Sequence, residues 1–245
     1  MEVSITGAKI YDVIPGINYP ITQTVVNAWI AMVVIVGLCI WLTRGMQVHA
    51  RTKRQVVAEM IVQMAQKLVR GNMGAKWDSF VPFIAAILSM SVVSSLMGLT
   101  GAYSPTNDLN TFLAWGILVF VLITYHKIKA NGFGGYLKGF TEPIFVMTPM
   151  NIISEIATPV SMSLRHFANI CSGYVIGLLL YAALGAVSQM IFFWLPGSLG
   201  TIPFLQVGIP AVLNVYFSVF SGCVQPYIFC MLTMQFVAQA AGTEE

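Results

Sequence analysis

The chain has 245 residues, of which 57 % are hydrophobic and only 9 % are charged, with a formal net charge of +3. Soluble domains carry about 25 % charged residues. Together with a mean hydropathy of +0.80, this composition excludes a soluble enzyme or a nucleic-acid-binding module. It predicts a single all-α, polytopic membrane domain.

The first half of the chain predicts three spans and one interfacial helix. A span needs roughly 20 apolar residues to cross a hydrocarbon core of about 30 Å. The N-terminal segment lacks the basic n-region of a signal peptide, so we expect it to remain uncleaved outside the membrane. The predicted segments are an external N-terminus at 1–20, spans at 21–43, 79–99 and 109–125, and a basic amphipathic helix at 44–76.

The second half predicts a basic loop and two long membrane-embedded helices. The loop, 127–142, contains several glycines and is expected not to be helical throughout. The apolar run 151–195 would measure about 68 Å as one helix, more than twice the hydrocarbon thickness. It must therefore break or lie at a steep angle against a large partner. The last helix is predicted at 209–240.

The basic residues predict the topology. Ten of the twelve Lys and Arg residues fall within 44–76 and 127–142, which places both segments on the cytoplasmic side. The N-terminus is then outside and the C-terminus is cytoplasmic. The prediction is five membrane-embedded helices plus one interfacial helix, an arrangement that suits a bacterial plasma membrane.

Arg165 is the most informative residue of the chain. It carries the only formal charge in the 88 residues from Ile156 to Thr243. A charged side chain inside a membrane helix costs between about 2.5 and 17 kcal/mol, depending on the method. Arg cannot avoid this cost by losing its proton. An isolated permanent cation at this depth therefore predicts a functional site.

Two polar stripes accompany this charge. Ser and Thr in such helices often bond to their own backbone or allow close packing, which explains several of these residues without a function. That interpretation does not account for Arg165 or Asn169. The alternative is a hydrated path, or a docking surface for a partner that carries negative charge. The stripes consist of Ser154, Thr158, Ser161, Asn169 and Ser172 beside Arg165, and of Asn214, Ser218, Ser221 and Gln225 in the last helix.

The run from Pro149 to Asn169, P-M-N-I-I-S-E-I-A-T-P-V-S-M-S-L-R-H-F-A-N, resembles the signature of the a subunit of the F-type ATP synthase membrane sector. Three further stretches resemble the family's entry to its third span, its Gly-rich cytoplasmic loop and its last-helix motif. They are P-T-N-D-L-N-T from Pro105, G-F-G-G-Y-L-K from Gly132 and Q-P-Y-I-F-C-M-L-T from Gln225. The resemblance covers residues 20–240.

This resemblance implies a function and a set of partners. The subunit would pass ions, in the first instance protons, through two offset half-channels against a rotating ring of c subunits. The last two helices would form a steeply tilted hairpin along that ring. The implied partners are the c ring, the peripheral-stalk b subunits, the rest of the ATP synthase and the lipid bilayer. The subunit would not be catalytic alone and would need no cofactor or metal.

The resemblance also implies roles for five residues. Arg165 would separate the two half-channels, with Gln225 and Asn169 as its supports. Glu155 would serve the cytoplasmic half-channel, although a helix-start acid favoured by the helix dipole is an alternative. Asp108 would lie at the external inlet, or it would simply cap the helix that begins beside it.

The chain departs from the family at the external half-channel. Tyr174 and Ser218 stand where the family has titratable groups, and neither side chain titrates near neutral pH. The inlet would then be a water chain lined by these two residues and Asp108, or it would pass another ion. His166 and His126 are titratable alternatives, although packed or interfacial histidines are the simpler interpretation.

A competing function is a secondary transporter whose Arg165 binds an anionic substrate in the middle of the membrane. Such transporters usually contain internal repeats and broken helices, and the sequence contains no repeat. A non-catalytic membrane scaffold would not require an embedded Arg165. No nucleotide-binding, metal-binding or nucleophile motif is present, and the sequence leaves open whether the ion is H⁺ or Na⁺.

Overall fold

The computed structural model describes residues 9–14, 19–47, 52–99, 103–141, 145–192 and 209–242. Within these ranges the helices are α1 (Gln23–Thr43), α2 (Lys53–Met73), α3 (Val81–Leu99), α4 (Leu109–Thr141), α5 (Thr148–Phe192) and α6 (Ile209–Ala240). Among the described residues, four stretches are long and apolar enough to cross a membrane: Gln23–Thr43, Ala75–Gly98, Leu109–Thr141 and Phe145–Ile191. The helices confirm an all-α, polytopic membrane fold.

A short strand pair precedes the helices. Strand β1 (Ile10–Ile14) pairs antiparallel with strand β2 (Tyr19–Thr22), which leads directly into α1. Both strands contain β-branched and aromatic residues, which favour an extended backbone. The N–H of Gln23 donates to the carbonyl of Lys9 at 2.8 Å and ties the pair to the start of the helix. The all-α prediction does not include this element.

A tight turn joins α2 to α3. Helix α2 ends at Met73 and is followed by Gly74, whose φ of 86° lies in a region that glycine adopts most readily. A 3-10 helix, Ala75–Phe80, follows it. Across this turn the guanidinium of Arg70 donates to both carboxylate oxygens of Asp78, at 2.8 and 2.6 Å. The predicted basic amphipathic segment is thereby joined to the following span by a bidentate ion pair.

Helix α4 is longer than predicted. The sequence predicts a span at 109–125 and then a loop, whereas the helix extends through most of that loop and is interrupted only at Gly132, with φ 70° and ψ 166°. A glycine in a helix costs only about 1 kcal/mol. The glycines of this segment therefore interrupt the helix at one point and do not abolish it.

Helix α5 contains 45 residues and is continuous through Pro159. Proline removes one backbone donor and usually bends a helix. The hydroxyl of Ser163 donates to the carbonyl of Pro159 at 2.9 Å. The length of this segment leaves two options, a break in the helix or a steep angle in the membrane. The described residues form one unbroken helix.

Helix α6 is central to the packing, because it contacts α2, α3, α4 and α5. Its inner surface includes Phe229, Cys230, Met234 and Val237, all 3 % exposed or less. Large apolar side chains elsewhere remain exposed, for example along α1 and α5. Such exposure is expected for helix faces that contact lipid.

Two glycines allow helices to approach closely. A Cβ placed on Gly116 of α4 would lie 2.1 Å from the Oγ of Ser163 and 3.0 Å from the carbonyl oxygen of Pro159. A Cβ on Gly222 of α6 would lie 2.6 Å from the Cβ of Ser95 in α3. Small residues permit such backbone approach in membrane helices. The Gly116 crossing fixes α5 against α4 next to the segment that carries Arg165.

Candidate functional site

Arg165 lies in the middle of α5, and its side chain is exposed. It lines an open groove of about 410 Å³ whose other walls are small or apolar: Ala157, Val160, Ser161, Leu164 and Ala168. Within the described ranges, Arg165 makes no hydrogen bond and no ion pair. The groove therefore presents a fixed positive charge to whatever lies outside the chain.

The polar stripe predicted beside Arg165 lies on α5, and its members differ in exposure. Ser154, Ser161 and Ser172 are exposed, and Thr158 and Asn169 are partly buried. The hydroxyl of Thr158 donates to the carbonyl of Ser154 at 2.8 Å, so the simple backbone-bonding interpretation holds for this residue. Of the stripe, Ser161 lines the groove of Arg165, whereas Ser154 and Thr158 line a second cavity on α5.

Glu155 lines a cavity of about 500 Å³ between α4, α5 and α6, called here the Glu155 cavity. The Nζ of Lys127 donates to the Oε2 of Glu155 at 2.5 Å. The other oxygen, Oε1, is buried and has no hydrogen-bond partner among the described residues. The remaining polar lining residues are Asn131, Tyr136, Asn151, Ser154, Thr158 and Gln239. The sequence selects Glu155 but not Lys127, because the two lie 28 residues apart on different helices.

His166 follows Arg165 but is only 1 % exposed. Its ring stacks on Phe112, with 4.1 Å between centroids, and makes edge contacts with Trp115 and Phe229. Neither ring nitrogen has a partner within the residues that the structure describes. His126 is likewise surrounded by aromatic rings. Both histidines are packed against aromatic side chains, as expected for packed histidines without a role in the ion path.

Helices α5 and α6 contact each other in opposite directions. His166 packs near Phe229, with 6.3 Å between ring centroids. Glu155, earlier in α5, shares its cavity with Gln239, later in α6. Residue numbers therefore rise along one helix as they fall along the other.

This antiparallel contact brings Asn169 and Gln225 to one level, since each lies about one helical turn beyond the His166 contact, on its own helix. Gln225 is 8 % exposed, whereas Arg165 points into the open groove. Neither Arg165 nor Gln225 forms a hydrogen bond within the described part of the chain. Arg165 and Gln225 are thus placed on neighbouring helices without direct bonding.

Asp108 caps the start of α4. Its Oδ1 accepts the backbone N–H of Asn110 at 3.1 Å, as expected of a helix-start Asp. Burial raises the pKa of Tyr103, and the negative charge of nearby Asp108 raises it further. The Nδ2 of Asn27 donates to the carbonyl of Tyr103 at 2.6 Å, which joins α1 to this end of the bundle. The sequence gives no signal for Asn27.

The structure separates the two candidate acids. Asp108 precedes α4, whereas Lys127, the partner of Glu155, lies 19 residues further along it. At about 1.5 Å per residue this corresponds to roughly 28 Å, close to the hydrocarbon thickness. The acids are therefore at opposite ends of the helix bundle.

For two predicted pathway residues the structure describes the backbone but not the side chain. Tyr174 belongs to α5 and Ser218 to α6, but only their backbone placement is described. The same holds for Asn214 and Ser221 of the last-helix stripe. The water chain predicted for the external inlet stays a prediction.

Comparisons with known proteins match most of the chain. The profile of the family described as "ATP synthase A chain" matches residues 25–238. "ATP synthase subunit a" of Desulforamulus reducens is 32 % identical over 224 residues, which cover 91 % of this chain and 80 % of the relative. "ATP synthase subunit a 1" of Prosthecochloris aestuarii is 31 % identical over 228 residues, 92 % of each chain. "ATP synthase subunit a, sodium ion specific" of Propionigenium modestum is 29 % identical over 244 residues, 93 % of this chain and 77 % of the relative.

Proposed function

Because the chain belongs to the ATP synthase A chain family, we propose that it is the stator subunit that couples ion flow to rotation. As a member of this family it is an ion-translocating, non-catalytic subunit of the membrane sector. The observation that carries the proposal is the exposed Arg165. Its charge lies in an open groove without a counter-charge among the described residues.

The partner proposed for this groove is the ring of c subunits. At 45 residues α5 measures about 68 Å, and such a helix fits a membrane only at a steep tilt. The antiparallel contact of α5 with α6 supports a tilted hairpin, with α6 as a fifth membrane-embedded helix. Ala157, Ser161 and Ala168 are small enough for helices of the ring to approach closely.

Arg165 would act as an electrostatic barrier between two half-channels. A fixed cation repels a hydronium or metal cation, and the repulsion is strong where water is scarce. The same cation attracts a ring carboxylate once it has lost its ion. The ring can then turn past Arg165 with its carboxylate charged and into lipid with its carboxylate neutral, which couples rotation to ion flow.

The two ends of the bundle would supply the half-channels. The Glu155 cavity has the volume and polarity of a hydrated vestibule, and we assign it to the cytoplasmic half-channel. Asp108 lies at the opposite end and would collect ions for the external half-channel, with Tyr174 and Ser218 further along the route. Asn169 and Gln225, which share one level on α5 and α6, would orient the guanidinium when the ring is present.

The remaining assignments follow from the same proposal. The partners are the c ring, the peripheral-stalk b subunits and the rest of the ATP synthase. The subunit would reside in a bacterial plasma membrane, with the N-terminus outside and the C-terminus in the cytoplasm. The proposed ion is H⁺, and Na⁺ is the alternative suggested by the sodium ion specific relative from Propionigenium modestum.

The test is Arg165→Ala in the complete ATP synthase, reconstituted in liposomes with an imposed H⁺ or Na⁺ gradient. We expect the variant complex to assemble, since removing a membrane-embedded charge relieves its solvation cost. Gradient-driven ATP synthesis should be lost. Normal coupled synthesis would overturn the proposal, and Arg165-dependent anion uptake by the isolated subunit would favour the transporter. Synthesis driven by Na⁺ alone would reassign the ion.

A further inference from the structure

The ion pair between Lys127 and Glu155 is a property of this chain that the proposed function does not use. The Nζ of Lys127 donates to the Oε2 of Glu155 at 2.5 Å and joins α4 to α5. These two residues carry the only formal charges among the described residues that line the Glu155 cavity. The described lining of the cavity is therefore polar and has no net charge.

The two oxygens of Glu155 have different environments. Oε2 accepts a hydrogen bond from the ammonium group of Lys127, whereas Oε1 is buried and has no partner within the described ranges. A buried oxygen needs a hydrogen-bond partner, because leaving it without one is costly. An ionised carboxylate has acceptor capacity on both oxygens. Oε1 is thus the atom of this pair at which a proton or another cation can bind.

Among the described residues that line the cavity, Lys127 alone supplies a counter-charge to Glu155. The Glu155 side chain is only 13 % exposed. The groups that face it from the three helices are neutral: Asn131 and Tyr136 on α4, Asn151, Ser154 and Thr158 on α5, and Gln239 on α6. Without Lys127, the carboxylate would be a buried charge with no compensation. It would also be free to rotate towards other donors.

We propose that Lys127 is a positioning residue for ion passage: it holds Glu155 by Oε2 and thereby keeps Oε1 available to the ion that crosses the Glu155 cavity. This inference rests on the proposed function and adds a residue to it. When the ion is a proton, Oε1 accepts it and Glu155 becomes a neutral carboxyl. The same proton then leaves to water on the cytoplasmic side, while Lys127 keeps its own protons.

The experiment compares variants of the complete synthase in liposomes. Lys127→Gln removes the counter-charge, Lys127→Arg retains it, and Glu155→Gln removes the ion acceptor. The double variant Lys127→Gln/Glu155→Gln tests whether Lys127 acts through Glu155. Lys129→Gln is the matched control, because it removes the same charge from an exposed position of α4 outside the cavity lining. ATP-driven ion pumping and gradient-driven ATP synthesis are measured for each.

We expect Lys127→Gln to slow ion flux about fivefold to tenfold. This range corresponds to the interaction energies measured between residues in direct contact. Lys127→Arg and Lys129→Gln should stay within about twofold of the parent enzyme. The double variant should be no slower than Glu155→Gln alone. Unchanged flux in Lys127→Gln, or losses that multiply in the double variant, would overturn the inference.

Two further readouts separate the possible failures. Where Lys127→Gln prevents assembly, Lys127→Arg decides: near-parent flux supports the inference, and a loss beyond about fivefold overturns it. Arg165→Ala is measured in the same series. Normal synthesis in Arg165→Ala means that the proposed function itself fails. Lost synthesis in Arg165→Ala together with normal flux in Lys127→Gln means that only the role of Lys127 fails.

Discussion

Arg165 and Glu155 lie ten residues apart on α5, but their charges have opposite environments. Glu155 is largely buried and is neutralised by Lys127 of α4. Arg165 is exposed in a groove of small and apolar residues and has no ionic partner within the described ranges. In the proposed function, the paired charge of Glu155 belongs to a preformed site, whereas the unpaired charge of Arg165 is directed at the c ring.

The largest effect is expected for Arg165→Lys, which keeps the charge but changes its shape. Lys lacks the planar fork of Arg and can lose its proton when water is excluded. Disrupting a desolvated charge interaction costs about 3–5 kcal/mol, equivalent to a rate loss of two orders of magnitude or more. The loss is measured as the rate of gradient-driven ATP synthesis by the reconstituted complex. Synthesis within a factor of two of the parent rate would show that any cation suffices.

Glu155→Gln should have a smaller effect, because the other polar groups of the cavity remain. We expect ion flux through the cytoplasmic side to fall roughly tenfold, about 1.4 kcal/mol in the barrier. Uptake from the external side should change less. Glu59→Gln, which removes an acid from α2, is the control. Equal slowing on both sides would place Glu155 outside the cytoplasmic route.

Gly116→Ala tests whether the spacing of α4 and α5 supports both regions. The new methyl group would overlap Ser163 and press on the carbonyl of Pro159, and overpacking of this kind costs about 1–3 kcal/mol. The midpoint of thermal unfolding of the subunit in detergent should fall. Gly134→Ala on the same helix meets nothing within 4 Å and is the matched control. An unchanged midpoint for Gly116→Ala would show that the crossing relaxes freely.

The smallest effect is expected for Asp108→Asn, which separates capping from ion collection. Asn caps a helix about as well as Asp, so thermal stability should stay unchanged. Ion uptake from the external side should slow about twofold to threefold at limiting ion concentration, a change below about 0.7 kcal/mol. Parent-level uptake would leave Asp108 as a cap and nothing more.

The sequence predicts well what depends on local pattern. Apolar runs of sufficient length predict the helices, because the bilayer imposes a minimum length and requires backbone hydrogen bonds to be made within each segment. The helix predicted at 209–240 and α6 have the same bounds. The Gly-rich segment after the third span is also not helical throughout, as predicted, because the backbone leaves the helical region at Gly132; the helix resumes beyond it, which the sequence does not predict.

What the sequence determined by itself is that Arg165 is an isolated cation in an apolar segment, and that its motif is that of one family. Only the tertiary structure decided that Glu155 is paired with Lys127, that Gly116 meets Ser163, and that Arg165 faces outward. The first two are contacts between residues that lie 28 or more positions apart on different helices. These features depend on the angles at which the helices cross and on the rotation of each helix about its axis. The spacing of residues within one helix does not determine either.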